Sequence, residues 1–163
     1  MDDDAELRRQ LVAGLEGGDT HMGLEEAVRD FPDEAINARP PNVPYSPWHI
    51  LEHLRLTQLD ILRYLTEPGY VSPPWPSGYW PAREATATRA QFEATLAGFR
   101  SDVQGLERLI LDPETDLLAP LAHAPEHTIL REVRLVGNHN SYHLGEFAIL
   151  RQVMGTWGAR RRG

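Results

Sequence analysis

Phe92, Leu96, Phe99, Val103, Leu106 and Ile110 recur at intervals of four, three, four, three and four residues. That alternation keeps one stripe of a helix apolar over about five turns, the spacing of a bundle seam. A helix with such a stripe cannot bury it alone. The rest of the chain must supply partner helices.

The partners are legible from their ends. Asp3 to Glu16 reads as a short helix with Leu7, Leu11 and Leu15 at spacing four, closed by Gly17-Gly18. Asp19 or Thr20 can cap a second helix running to about Phe31. Pro32, Pro40, Pro41, Pro44 and Pro47 then forbid a long helix across that stretch. Pro47 suits a first helical turn, and Leu51, Leu54, Gln58, Ile61 or Leu62, and Leu65 carry a helix to the stop Thr66-Glu67-Pro68-Gly69. Asp112-Pro113 ends the seam helix. Thr128 caps the last helix, which runs to about Met154 before Gly155.

No alternating strand pattern and no internal repeat is present. The chain reads as all-α, a four-helix bundle with a short extra N-terminal helix. Residues 67–82, EPGYVSPPWPSGYWPA, form a long loop rich in proline and aromatics, of the kind that often covers a functional site. Extended, such a loop reaches ~50 Å, while a 20-residue helix is ~30 Å long. The second and third long helices can therefore run parallel, which admits an up-down-down-up order as well as simple up-and-down.

Composition narrows the class. At 163 residues the chain has the usual size of one domain, 1–163, with the last six residues, GARRRG, as a flexible solvated tail. A net charge of -8 argues against a general nucleic-acid surface. No apolar run approaches the ~20 residues of a membrane span. The acidic start MDDDAELRRQ lacks the apolar core of a secretory signal. With no cysteine there is no disulfide, thiolate nucleophile or Cys-ligated metal, and the cytoplasm is the expected location.

The chemistry lies in the histidines. His139 and His143 stand four residues apart, as do His49 and His53, so each pair shares one side of a helix. On a helical wheel Ile129, Val133, Val136, Phe147 and Met154 define the inner face of the last helix, with Leu150 at its border. His143 falls within that face and His139 beside it, with Glu132 and Glu146 along the same stripe. His53 lies near the Leu54–Leu65 stripe, whereas His49 points toward the polar side. A three-histidine metal site from His53, His139 and His143 satisfies this buried polar material, and a buried hydrogen-bond network is the alternative.

The other candidates are weaker. His123 and His127 flank Pro125 and read as loop residues, and His21 has no placement from sequence. Trp48, Tyr70, Trp75, Tyr79 and Trp80 either line a pocket or bury apolar area between loop and bundle.

Taken together, SPWHILEHLRLTQLDIL, YVSPPWPSGYWP and TILREVRLVGNHNSYHLGEFAILRQVMGTW resemble the DinB/YfiT-like superfamily of bacterial four-helix-bundle metalloproteins. The resemblance implies an up-down-down-up bundle and often a homodimer. It implies metal ligation by His53, His139 and His143, with nickel or zinc foremost and manganese or iron as alternatives. Characterised branches include thiol transferases using low-molecular-weight thiols. Related sequences often carry Asp and Gln where this chain has Asn138 and Glu146, which offers Glu146 as a fourth ligand or a base and leaves open what orients His139.

Three neutral imidazoles leave coordination positions open, the mark of a catalytic rather than a structural site. A divalent ion there lowers the pKa of water toward ~7 or favours a thiolate. The expected function is a metal-dependent enzyme of thiol-transferase or hydrolase type, acting on a small electrophile, with neither nucleic acid nor membrane as partner. The alternative is a non-catalytic metal- or ligand-binding stress-response protein of the same fold.

Overall fold

A computed structural model describes residues 3–17 and 21–158. The Asp19 or Thr20 cap and the tail beyond Gly158 lie outside these residues. The elements are α1 (Asp3–Glu16), α2 (Leu24–Val28), a 3-10 turn (Asp33–Ala35), α3 (Pro47–Thr66), α4 (Arg89–Leu111), β1 (Pro120–Leu121), β2 (Ala124–Thr128) and α5 (Ile129–Met154). The long helices end where their punctuation dictates. Ser46 caps α3 by accepting from the His49 backbone N–H, with Pro47 in the first turn. Thr88 and Gln91 form a reciprocal capping box on α4, and Thr128 accepts from Arg131 N–H on α5. Gly155, at φ 65°, closes α5 in the left-handed conformation that glycine adopts cheaply.

Two elements differ from the sequence reading. The second helix stops at Val28 rather than near Phe31, and Asp30 at φ 53° turns the chain away. Residues 120–128 form a two-stranded antiparallel hairpin rather than a loop, pairing Leu121 with Ala124 and Pro120 with Thr128. Strands this short, containing Pro120 and Pro125, carry no alternation to detect.

The seam of α4 is buried as its spacing requires, with Phe92, Leu96, Phe99, Leu106 and Ile110 inside and Val103 packed at the edge. The helix α3 packs against both α4 and α5, and α1 covers both of the latter from the other side. Along α3 and α4 the partner numbers rise together. A Cβ on Gly98 would strike Arg55, one on Gly105 would strike Leu62, and Gln58 donates to the Phe99 carbonyl. These two helices therefore run in the same direction, held close by glycines that lack a side chain at the contact. Along α5 and the β2 residue before it the numbers fall as those of α3 rise: His53 faces His143 and His139, Gln58 faces Asn140, and Tyr64 faces His127. Consequently α3 and α5 are antiparallel.

Two buried arginines fasten the ends. Arg8 on α1 donates to the carbonyls of Ile110 (2.7 Å), Asp112 (2.9 Å) and Thr115 (2.8 Å), which satisfies the C-terminus of α4. Arg151 on α5 donates to the carbonyls of Ala27 (2.5 Å) and Arg29 (2.9 Å) and lies over the Trp157 ring, fixing α2 against α5. Among the described residues no helix is long and apolar enough to cross a membrane.

Candidate metal centre

Where α3 and α5 face each other, the four-residue spacing of His139 and His143 turns both rings toward His53. One ligand nitrogen from each of the three can be chosen so that all lie within 4.8 Å of one another. His53 Nε2 and His139 Nε2 are 3.1 Å apart. The ring centroids of His53 are 4.9 Å from those of His139 and 4.7 Å from those of His143.

The opposite edges of the rings decide the protonation. His53 Nδ1 lies 2.7 Å from the Tyr79 carbonyl, which can only accept, so this nitrogen carries the hydrogen. His143 Nδ1 lies 2.7 Å from Glu146 Oε2, a carboxylate acceptor. His139 Nδ1 lies 3.3 Å from Thr57 Oγ1. That hydroxyl spends its hydrogen on the carbonyls of His53 (2.9 Å) and Leu54 (3.0 Å), so it too accepts. With Nδ1 of each ring facing an acceptor, Nε2 is the nitrogen left to ligate, and those of His53 and His139 already meet at 3.1 Å. Unshared lone pairs at such distances repel, and a shared cation relieves that repulsion. Bonds of 2.0–2.1 Å in tetrahedral geometry place ligand nitrogens about 3.3 Å apart, close to the 3.1 Å between His53 and His139. The donor set fits a divalent transition metal.

Electrostatics agree. Burial pushes His53 down to about 4, against the Tyr79 carbonyl, which favours its charged form. Burial, with His143 and His53 alongside, pushes His139 down to about 3. Both rings are neutral at physiological pH, the form that ligates.

The loop before α4 completes the site. Trp80 stacks on His53 with centroids 3.8 Å apart and planes within 8°. The Tyr79 hydroxyl donates to Asp60 Oδ2 at 2.9 Å, so one residue ties the loop to α3 at its ring and orients His53 at its carbonyl. Of the other loop and flanking aromatics, Trp48 donates to Thr95, Tyr70 lies under Arg63, and Trp75 is exposed. The pocket and packing roles expected of this group are thus divided between its members.

His49 is not at the surface or a rim, as the wheel suggested. It is 2% exposed, with Nδ1 2.7 Å from Ser46 Oγ and Nε2 3.1 Å from the Ala82 carbonyl. It belongs to the N-cap of α3 and holds the loop. Its place three residues after Ser46 is the capping-box spacing, a signal present in the sequence. His21 stands 3.1 Å from the Met22 carbonyl and outside the cluster. His127 pairs with the Tyr64 hydroxyl at 2.8 Å, and His123 packs edge-on against the same ring. Glu132 is buried but sits with Arg131 and His127 rather than with the triad. One residue that the sequence left unremarked matters here, Thr57, four positions after His53, and Tyr79, singled out for its ring, acts on His53 through its carbonyl.

A helical protein with three converging histidines between antiparallel helices is the class that this geometry defines. A family profile of the DinB superfamily matches residues 19–147. The chain belongs to the DinB superfamily. No curated protein and no solved structure matches it significantly.

Proposed function

We propose that this protein binds one divalent metal ion through His53, His139 and His143 and uses it to act on a small electrophilic substrate, by thiol transfer or hydrolysis. The observation that carries this reading is the clustering of three histidine ring nitrogens within 4.8 Å of one another, on rings whose Nδ1 atoms each face an oxygen. When bound, the ion supplies a Lewis acid that polarises an electrophile or activates a small nucleophile. Around it, Tyr79, Thr57 and Glu146 orient the three rings, and Trp80 shields His53 from water. Glu146 acts here as the acceptor that holds His143 Nδ1–H rather than as a fourth ligand. Imidazole suits several divalent ions alike; the family resemblance puts nickel and zinc first, with manganese and iron as further candidates.

The contacts that set α3 and α4 in one direction and α5 against α3 support the up-down-down-up four-helix arrangement. Leu135, Tyr142, Ile149 and Val153 form an exposed apolar stripe on α5, which supports a homodimer. A cytoplasmic location completes the reading. Elemental analysis of protein purified without an affinity tag, then reconstituted with nickel, zinc or manganese, tests the metal directly. About one equivalent is expected, with turnover in a panel of thiol acceptors and esters that is lost in His143→Ala. Uptake below about a tenth of an equivalent after reconstitution overturns it.

A further inference from the structure

A cleft of about 390 Å³ opens beside His139, between α3, α5 and the loop. That is the size of a small-molecule site, and a carboxylate is set into its wall. Asp60 accepts from the Tyr79 hydroxyl at Oδ2, 2.9 Å away. Its other oxygen, Oδ1, is shut off from bulk solvent and has no hydrogen-bond partner among the described residues. The Tyr70 hydroxyl leans toward this carboxylate without closing a bond on Oδ1; burial, then the Asp60 neighbour, pushes it up to about 12. A buried carboxylate oxygen without a donor is costly. Asp60 lines the cleft, so a ligand can supply the donor.

The other charged groups of the wall cancel. Arg131 is paired with Glu132, which is 3% exposed. The Ser72 hydroxyl faces that of Tyr79, and Tyr64 is paired with His127 at 2.8 Å. Burial holds His139 neutral. The cleft therefore carries the negative charge of Asp60, in a chain whose net charge is -8. The rings add to this preference. Tyr64, Trp75 and Tyr79 line the cleft, the last two with centroids 5.4 Å apart, and aromatic faces attract cations.

We propose that the cleft binds a small amine as its ammonium ion, donating to Asp60, with the group that reacts placed at His139. Asp60 lies one helical turn beyond Thr57, whose hydroxyl faces His139 at 3.3 Å. The step from 57 to 60 advances the helix by about 4.5 Å, so about four chain atoms separate the amine from the reacting group. The seat of the amine stands on Asp60 and the cleft alone; the position of the reacting group rests on the triad being the metal centre.

The test uses the full chain at about pH 8, where free histidine is largely neutral, with three probes of one shape: phenethylammonium, phenethyl alcohol and phenylacetate. Dissociation constants are read by calorimetry or ligand-detected NMR on metal-free protein. The ammonium should bind at least roughly tenfold more tightly than the alcohol, about 1.4 kcal/mol, and phenylacetate most weakly. Asp60→Asn keeps the side chain's shape and an acceptor for the Tyr79 hydroxyl, and should remove that advantage. Asp102→Asn also removes a buried carboxylate, on α4 outside the cleft, and should leave the advantage intact. For the reacting end, cysteamine and ethanethiol are titrated into cobalt-loaded protein, and thiolate-to-cobalt absorption is read beside cobalt content. Cysteamine should bind at least about tenfold more tightly, an advantage likewise lost in Asp60→Asn.

The alcohol or phenylacetate binding as tightly as the ammonium overturns the inference. So does an ammonium advantage that survives Asp60→Asn, or an equal loss in the Asp60 and Asp102 variants. Equal binding of the two thiols overturns the placement of the reacting group. An ammonium advantage in protein that takes up no cobalt upholds the amine site and sinks the metal reading alone.

Discussion

Two groups of histidines each send one member, His139 and His127, into the wall of one cleft, and both start from a pair four residues apart. His139 and His143, with His53 across the helix interface, turn three nitrogens inward. His123 and His127, around Pro125, reach the Tyr64 ring and its hydroxyl, with Glu132 3.5 Å from His127. The spacing is identical, but the backbone differs. On α5 four residues complete about one turn and stack the rings on one face. In the hairpin the same count crosses a turn and enters a strand, so the two imidazoles address Tyr64 separately. Three acceptors further fix the first group: the Tyr79 carbonyl, Thr57 and Glu146 each hold an Nδ1–H. A ligand set needs both a shared face and occupied outer nitrogens.

Removing one of the three proposed ligands is the most severe way to probe this contrast. His53→Ala, His139→Ala or His143→Ala should each reduce metal affinity by at least about a hundredfold, beyond the range typical of outer partners. His123→Ala and His127→Ala should leave affinity within about twofold of the parent. Competition titration against a chelator measures both sets. Equal losses from the two groups would erase the distinction.

The outer acceptors come next. Glu146→Gln and Thr57→Val should weaken metal binding by about 10–100-fold, since each removes or alters the group that holds an Nδ1–H. The visible absorption of the cobalt-loaded protein should change in both variants. It should not change in Glu132→Gln, because that carboxylate belongs to the hairpin end of the cleft. An unaltered cobalt spectrum in Glu146→Gln would remove Glu146 from the site.

The smallest effect concerns acid. His53 and His139 have folded values of about 4 and about 3, below the ordinary 6.5 of an unfolded histidine. Between those limits the unfolded chain binds more protons than the folded one, so metal-free stability should fall as pH is lowered from 6.5 toward 4. His139→Asn should flatten that slope in urea melts taken across the range. A slope identical to that of the parent would mean that His139 is not held neutral by its surroundings.

Much of this was legible in advance, for identifiable reasons. The α4 seam, the Ser46-Pro47 start of α3, the Thr128 cap and the Gly155 stop are local signals, each decided within a few residues. The convergence of His53 with the α5 pair also follows from helical period, because each residue lies on a buried stripe. The wheel misplaced His49 because it treats the first turn as ordinary helix. There, unpaired N–H groups recruit side chains, and a buried Ser46–His49 cap resulted. The hairpin escaped detection because its few residues pair only once the chain has doubled back.

The amino-acid sequence by itself determined the helices, their apolar faces and three histidines able to meet. Those properties depend on periodicity and on the chemistry of chain ends, which act over one or two turns. Only the tertiary structure decided that Thr57 and the Tyr79 carbonyl hold two of the rings, that Trp80 covers one, and that a cleft opens beside His139. These are contacts between segments 26 to 86 residues apart, as with His53 to Tyr79 and His53 to His139. Their geometry depends on how helices and loop pack together, which no local pattern encodes.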